Sequence, residues 1–167
     1  MKNLFFGGVL LFLVFWSCRN SDDSVQQIDQ VMNLYIDSLG KDMLNSKISG
    51  SYYSVTMNDV LGSKDYAPVT VNIKKNTDTI AYLEYVAGAK RLLIDSINPD
   101  NKKYASVIAL AMTKKVAGSN TTKTTKDTMR IIYSSTPQQF EISSLYYNNV
   151  LVFSKTSGQP NIIKIVK

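Results

Sequence analysis

From residue 47 onward the chain alternates apolar and polar side chains with a period of two, and turn-forming residues recur about every ten positions. Short strands rich in β-branched and aromatic residues, separated by such turns, are typical of an antiparallel β fold. The pattern predicts nine strands, at 47–58, 67–75, 79–87, 90–97, 103–114, 127–135, 139–146, 149–155 and 161–166. Because the connections between them are short, no crossover helix is available for parallel βαβ units.

One segment before these strands has helical spacing. Its apolar residues recur at intervals of three and four over 25–39, Ser24 precedes them as a cap, and Gly40 stands where a helix would stop. The spacing predicts an N-terminal amphipathic helix. The expected fold is therefore mostly β within the α+β class, with one helix packed on an antiparallel meander sheet or partly open barrel of about eight to nine strands.

Polar turns predict which strands are neighbours. Asn76-Thr77, Gly88-Ala89, the segment 98–101 and Asn148-Asn149 each have the composition of a tight connection between antiparallel strands. The polar, threonine-rich stretch 116–126 is predicted to be a mobile loop.

The strand predicted at 103–114 is apolar on both faces, which places it at the centre of the sheet. Larger side chains such as Ile108 and Leu110 point one way, while a row of small ones that includes Ala109 and Ala111 points the other. Two explanations of the small row remain open. The helix at 25–39 packs against it, or the row lines a ligand cavity inside a barrel.

The first seventeen residues form an apolar leader that ends at the only cysteine of the chain, Cys18. Lys2 supplies a positive start, the apolar run 4–16 is too short to span a bilayer, and the small Ser17 precedes the cysteine. This junction resembles the signal of bacterial lipoproteins cut by signal peptidase II, whose cysteine is acylated. The resemblance implies a signal peptide at 1–17, a lipid on Cys18 and a tether at 18–23.

The residues that follow Cys18 refine the expected location. Asp22 and Asp23 resemble the acidic signal that sends Bacteroidetes lipoproteins to the outer face of the outer membrane. Five Asp-Ser/Thr-apolar tripeptides are similar to the O-glycosylation motif of that phylum. Their candidate hydroxyls are Ser24, Ser38, Thr79, Ser96 and Thr128. The same dipeptides also favour turns and helix starts, and this alternative stays open. The remaining residues, 24–167, have the size of one domain.

Catalytic chemistry is limited by the residue types present. The chain has no histidine and its single thiol is assigned to the lipid, so Ser-His-Asp, Cys-His and histidine-ligated metal sites are not expected. Glu84 and Glu141 are the only glutamates. Glu84 is predicted to pair with Arg91 across a hairpin, and Glu141 to face solvent. We therefore expect a protein that is not an enzyme and uses no cofactor or metal.

Two groups of residues are candidates for binding. Two lysine pairs are predicted to share one end of the sheet, where they would face anionic headgroups or lipopolysaccharide; the alternative is that they protect strand edges: Lys74, Lys75, Lys102 and Lys103. In two pairs of adjacent strand tyrosines, one ring of each pair is predicted to point outward if the other is buried, where it could bind sugars or protein partners, although tyrosine is also a common strand residue: Tyr52, Tyr53, Tyr146 and Tyr147.

These features predict an outer-membrane, surface-exposed lipoprotein that acts as a non-enzymatic binding or structural component of the envelope. Its expected partners are the membrane, through the lipid, and an envelope protein or a glycan. The net charge of +6 is dispersed rather than clustered, so no nucleic-acid partner is expected. The alternative is a lipocalin-like carrier, in which the central strand lines a cavity for an apolar ligand.

Overall fold

The structure is a computed structural model that describes residues 25–116 and 118–167. The predictions for the leader 1–17, for Cys18, for the rest of the tether 18–23 and for Ser24 lie outside the described residues. Strands make up 61% of the described residues, and no helix occurs among them. The mostly β prediction is confirmed, and the sheets curl into an open half-barrel.

The described residues form thirteen strands. In chain order they are β1 (Gln27–Asp29), β2 (Met32–Ser38), β3 (Lys41–Asp42), β4 (Tyr52–Asp59), β5 (Pro68–Val69), β6 (Asn72–Lys75), β7 (Ala81–Tyr85), β8 (Leu92–Asn98), β9 (Asn101–Lys115), β10 (Thr122–Ser135), β11 (Gln139–Tyr147), β12 (Val150–Ser154) and β13 (Asn161–Val166).

The strands are divided between two sheets. An eight-stranded sheet has the order β1-β11-β10-β9-β4-β5, with β12 paired to β11 and β8 paired to β9. A five-stranded sheet has the order β13-β2-β7-β6, with β3 paired to β2. Most neighbours are antiparallel, but β1 runs parallel to β11 and β13 runs parallel to β2. Each parallel pair joins strands that are far apart in the chain. The short connections between consecutive strands, from which the antiparallel order was predicted, therefore gave no indication of these pairs.

The inward side chains of both sheets form one buried cluster. Ile108, Leu110 and Met112 of β9 are 0% exposed, and they belong to the same cluster as Leu34 of β2 and Leu83 of β7. Since both sheets supply one core, each has a solvent-facing side, on which polar residues alternate with the buried ones.

The predicted helix at 25–39 is wrong, because this segment forms β1 and β2. Within β2 the buried residues are Met32, Leu34 and Ile36, which follow a period of two. The residues that completed the helical stripe do not lie in the core, since Val25 is 92% exposed and Ile28 63% exposed. The edges of β13 and β7 supply hydrogen bonds on both sides of β2, and this pairing outweighs the local spacing.

Three of the four predicted turns join antiparallel neighbours. Hairpins connect β6 to β7, β8 to β9 and β11 to β12 at the expected positions. The prediction of a hairpin at Gly88-Ala89 is wrong, because β7 and β8 belong to different sheets. At these residues the chain crosses from the five-stranded sheet to the eight-stranded sheet. The loop predicted at 116–126 is also too long, since Thr122–Lys126 are paired with β9 as part of β10.

The central position predicted for the strand at 103–114 is confirmed. This strand is β9, which pairs with β10 on one side and with β4 and β8 on the other. The helix expected to cover its small side chains does not exist in the described residues. Instead, Ala109 lies between Thr128 of β10 and Asn58 of β4 on the outer side of the sheet.

Candidate functional site

The two lysine pairs do not form one basic rim. Lys74 and Lys75 lie on β6 of the five-stranded sheet, whereas Lys102 and Lys103 lie on β9 of the eight-stranded sheet. The prediction that they share one end of a sheet is wrong, because it assumed a single continuous meander. Lys74 is also neutralised locally, with its Nζ 2.7 Å from Glu84 Oε1, and Lys103 Nζ lies 3.8 Å from Asp95 Oδ2.

The tyrosine pairs are split between core and surface. Tyr52 and Tyr147 are buried, at 5% and 6% exposure, while Tyr53 is 51% exposed and Tyr146 is half-buried. The Tyr147 hydroxyl donates a hydrogen bond to Asp127 Oδ2 at 2.9 Å. Of the four rings, only that of Tyr53 is widely exposed to solvent.

Asp127 is a buried carboxylate held by several donors. Asn148 Nδ2 donates to its Oδ1 at 2.7 Å, and Lys167 Nζ lies 2.5 Å from its Oδ2. Burial acts to raise the pKa of Asp127, but the hydrogen bonds from Asn148, Lys167 and Tyr147 outweigh it and hold the pKa below its usual value. Burial and the bond to Asp127 raise the pKa of Tyr147. This cluster joins the end of β13 to β10 and β11 and is structural.

Three of the four candidate modification sites in the described residues are accessible. Thr79, Ser96 and Thr128 are all exposed. Thr79 lies in the β6–β7 turn with a φ of 64°, whereas Ser96 and Thr128 lie within strands. Ser38 is half-buried at the end of β2, and its hydroxyl donates to the Lys167 carbonyl at 2.9 Å.

The two glutamates lie on different sheets. Glu84 on β7 follows the buried Leu83, and Glu141 on β11 precedes the buried Ile142, so both point away from the shared core. The predicted pair of Glu84 with Arg91 is wrong, since Glu84 is bound to Lys74. With their side chains directed outward from separate sheets, these two carboxylates do not face each other across a cleft.

Arg91 instead packs on aromatic rings of the eight-stranded sheet. Its guanidinium carbon lies 4.9 Å from the centroid of Tyr133 and 4.6 Å from that of Phe140. Its Nη2 donates to Gln30 Oε1, in the segment that joins β1 to β2. A cation held on two rings is typical of a structural position.

A site that the sequence did not predict lies on the outer face of the five-stranded sheet. Tyr35 of β2 and Tyr82 of β7 are half-buried side by side, with ring centroids 5.3 Å apart and planes tilted by 34°. In a helix at 25–39, Tyr35 belongs to the apolar stripe with Ile36. In the strand only Ile36 enters the core, and Tyr35 points to solvent.

Beyond this tyrosine pair the strands diverge and leave a groove. The register of β2 with β7 ends at Leu34 and Leu83, after which β2 turns back at Leu39-Gly40 to pair with β3. On the other side, the turn between β6 and β7 is closed by Asn76 Oδ1, which accepts the Ile80 N–H at 2.9 Å. The space between the two turns is about 640 Å³, and we call it the Tyr35 groove.

The Tyr35 groove combines apolar side chains with carboxylates. Its lining includes Tyr35, Ile80, Asp37, Asp42, Asp78 and Lys164. Three acids against one base make it locally acidic in a chain whose net charge is +6.

The three carboxylates of the groove differ in how many of their oxygens are free to accept a hydrogen bond. Asp42 is used by the fold, because its Oδ1 accepts the Leu44 N–H and its Oδ2 accepts the Ala81 N–H. Asp37 Oδ1 accepts the Gly40 N–H at 2.9 Å. Within the described part of the chain, the second oxygen of Asp37 and both oxygens of Asp78 accept no hydrogen bond. The groove therefore offers three free acceptor oxygens beside an aromatic ring.

Comparison with known protein families, curated proteins and solved structures found no match to this chain. Among the described residues, no group of three or more acidic or cysteine side chains has the arrangement needed to hold a metal ion. The same residues include no helix long and apolar enough to cross a bilayer.

Proposed function

We propose that this protein is a non-enzymatic binding component of the bacterial envelope, held on the outer membrane by a lipid on Cys18, and that it binds saccharide in the Tyr35 groove. The anchor rests on the leader and its junction with the only cysteine. The binding site rests on one observation, the half-buried Tyr35–Tyr82 pair beside free carboxylate oxygens.

The chemistry of the groove suits a sugar ring. A sugar has apolar C–H faces, which pack on an aromatic ring, and hydroxyls at its edge, which donate to carboxylates. Tyr35 supplies the ring, and Asp37 and Asp78 supply the acceptors. A volume of about 640 Å³ lies in the range of small-ligand pockets and holds one or two sugar units.

The packing of the interior supports a binding surface rather than an apolar carrier. In a carrier, the inward face of β9 lines the cavity. Here Ile108, Leu110 and Met112 are 0% exposed, in one cluster with residues of the opposite sheet. The concave surface with unused polar groups is on the outside.

The binding test uses the full mature chain and a panel of neutral, amine-bearing and acidic oligosaccharides in isothermal titration. We expect the parent to bind at least one neutral or amine-bearing member. Tyr35→Ala should weaken binding by at least tenfold, since the stacking ring is lost, and Asp78→Asn should weaken it through a nearly isosteric change at an exposed site. Tyr53→Ala is the matched control, because it removes an exposed strand tyrosine elsewhere.

Two results overturn the saccharide proposal. One is a parent that binds no member of the panel, and the other is a Tyr35→Ala variant that binds as tightly as the parent. If the parent instead takes up a fluorescent apolar probe at one molecule per chain, the lipocalin-like alternative replaces it. Far-UV circular dichroism of each variant separates a loss of binding from a loss of fold.

The anchor is tested separately, by intact mass and membrane fractionation of the chain made in its native host. An acylated Cys18 with protease access on whole cells is the expected result, and Cys18→Ala should release the protein from the membrane. A soluble parent with a free thiol contradicts the anchor but leaves the groove open to test.

A further inference from the structure

The acidic side chains of the Tyr35 groove are not neutralised by ion pairs. Asp37 lies on β2, Asp42 on β3 and Asp78 in the turn between β6 and β7. Four ion pairs occur among the described residues, and none of them includes one of these carboxylates. Lys164, the cation in the lining, takes part in none of the four either. The groove therefore keeps an excess of negative charge.

The register of the strands directs two neighbouring lysines away from the groove. Residues directly opposite each other in an antiparallel pair point to the same face of the sheet. Lys75 is opposite the buried Ala81. Lys41 is opposite Ser38, which continues the inward row of β2. Both lysines thus point to the face opposite to that of Tyr35, and neither offsets the charge of the groove.

Two further lysines share the outer face with Tyr35. Lys74 on β6 is neutralised by Glu84, whose Oε1 lies 2.7 Å from its Nζ. Lys164 on β13 is in register with Tyr35. Asp78 lies on the other side of β2, in the turn between β6 and β7. The groove thus has a basic side at β13 and an acidic side at the β6–β7 turn, with the aromatic ring between them.

We propose that the saccharide bound in the Tyr35 groove carries a free amino group, which Asp37 and Asp78 hold as an ammonium. The inference rests on the proposed function, because it specifies the ligand of the same groove. An ammonium offers three donors, which matches the three free oxygens of Asp37 and Asp78. Hydrogen bonds of charged groups are about twice as strong as neutral ones, so an amine suits these oxygens better than a hydroxyl does.

Other classes of sugar fit the same oxygens less well. N-acetylation removes the charge of the amine and leaves a single N–H donor, and a sugar carboxylate is repelled by the two aspartates. Tyr35 packs on the ring whatever its substituents, so the aromatic contact contributes to every class alike. The preference between classes therefore depends on Asp37 and Asp78, whereas the affinity common to all classes depends on Tyr35.

The test compares a tetramer of glucosamine with its fully N-acetylated counterpart, by isothermal titration on the full mature chain. We expect the amine-bearing tetramer to bind about fivefold more tightly or better. The difference should shrink when the salt rises from roughly 0.05 M to roughly 0.5 M, because salt screens charges near the surface. Asp78→Asn should lower the ratio of the two affinities, while Tyr35→Ala should weaken both by a similar factor and leave the ratio unchanged.

A second variant and two controls accompany this test. Asp37→Asn keeps an acceptor oxygen for the Gly40 N–H, so it should lower the ratio without loss of the fold. Asp65→Asn changes an exposed acid between β4 and β5 of the other sheet and should leave both affinities as they are. Spermidine, which has ammonium groups but no sugar ring, should bind more weakly than the glucosamine tetramer.

The outcomes separate this inference from the proposed function. Equal binding of the two tetramers, or tighter binding of the N-acetylated one, overturns the inference and leaves the saccharide proposal standing. So does a ratio that neither Asp37→Asn nor Asp78→Asn changes. Spermidine that binds as tightly as the glucosamine tetramer overturns the inference too, since the groove then recognises charge alone. If the parent binds no saccharide at all, the proposed function fails, and the inference fails with it.

Discussion

Lys155 Nζ lies 2.5 Å from Asp29 Oδ2, and only 7% of the Lys155 side chain is exposed. The same ammonium donates to Asn161 Oδ1 at 3.0 Å, and Asn161 Nδ2 donates back to Asp29 Oδ1 at 2.8 Å. Asp29 ends β1, where the chain leaves the eight-stranded sheet, and Asn161 begins β13 of the other sheet. This network therefore fastens the two sheets at one corner.

The first prediction concerns this corner. Lys155→Met should lower the free energy of unfolding by about 1–3 kcal/mol, because it leaves Asp29, whose side chain is 33% exposed, without its hydrogen-bond donor. Lys155→Met combined with Asp29→Asn should recover part of that loss. Urea unfolding measures both. Lys103→Met is the control, since Lys103 and Asp95 are each 50% exposed and such a pair contributes about 0–1 kcal/mol. Equal losses of unfolding free energy in Lys155→Met and Lys103→Met would contradict the stabilising role assigned to the Lys155–Asp29 pair.

The second prediction concerns pH. Because the pKa of Asp127 is lowered in the folded protein, its contribution to stability is present above its usual value of 3.8 and is lost as the pH falls below that value. Asp127→Asn should therefore be less stable than the parent at pH 6, and the gap should narrow toward pH 3. Thermal unfolding between pH 3 and 7 measures this. The exposed Asp65→Asn serves as the control, and a gap that stays constant with pH would count against the prediction.

The third prediction separates the two accounts of Arg91. If Arg91 acts through its stack on Tyr133 and Phe140, Arg91→Lys should cost about 1–2 kcal/mol of unfolding free energy, because an ammonium does not replace a planar guanidinium. Glu84→Gln should not reproduce this loss, since Glu84 is bound to Lys74. Chemical denaturation with near-UV circular dichroism follows both. If Arg91→Lys and Glu84→Gln instead lose equal unfolding free energy, and the double variant loses less than their sum, the data would favour the Glu84–Arg91 ion pair predicted from the sequence.

The fourth prediction concerns the β11–β12 turn. Asn148 and Asn149 have φ values of 48° and 67°, as a two-residue hairpin of type I′ requires. Asn149→Gly should leave the stability nearly unchanged, because the relief of left-handed backbone strain is offset by the greater freedom of glycine in the unfolded chain, and Asn149→Val should destabilise the protein by about 1–2 kcal/mol. Asn148 is not a suitable position, since its side chain binds Thr128 and Asp127. Melting temperatures of the two variants check the order.

Local chemistry explains which parts of the fold the sequence predicted. Asn148-Asn149 specifies a tight turn with its own backbone preferences, so the hairpin it joins needs no distant information. The two apolar faces of β9 likewise mark a strand with neighbours on both sides. These features depend on residues close together in the chain.

The parts that the sequence did not predict depend on distant partners. Gly88-Ala89 has the composition of a hairpin turn, yet the strands on either side pair with different neighbours, β2 and β6 for β7 and β9 for β8. The segment 25–39 is compatible with both periods, and the edges of β13 and β7 decide in favour of a strand. The Tyr35 groove was missed for this reason, because its central tyrosine was assigned to a helix.

The parallel pairing of β2 with β13 has a consequence for how the chain folds. Contacts between these strands span about 130 residues, as in the bond from Ser38 to the Lys167 carbonyl. Closing so long a loop has a large entropic cost that must be met before the contacts form, so folding should be slow. Until β13 is available, one edge of β2 lacks its partner. During synthesis from the N-terminus, a chain that still lacks β13 therefore has an open edge on β2, at which it can pair with the strands of other chains.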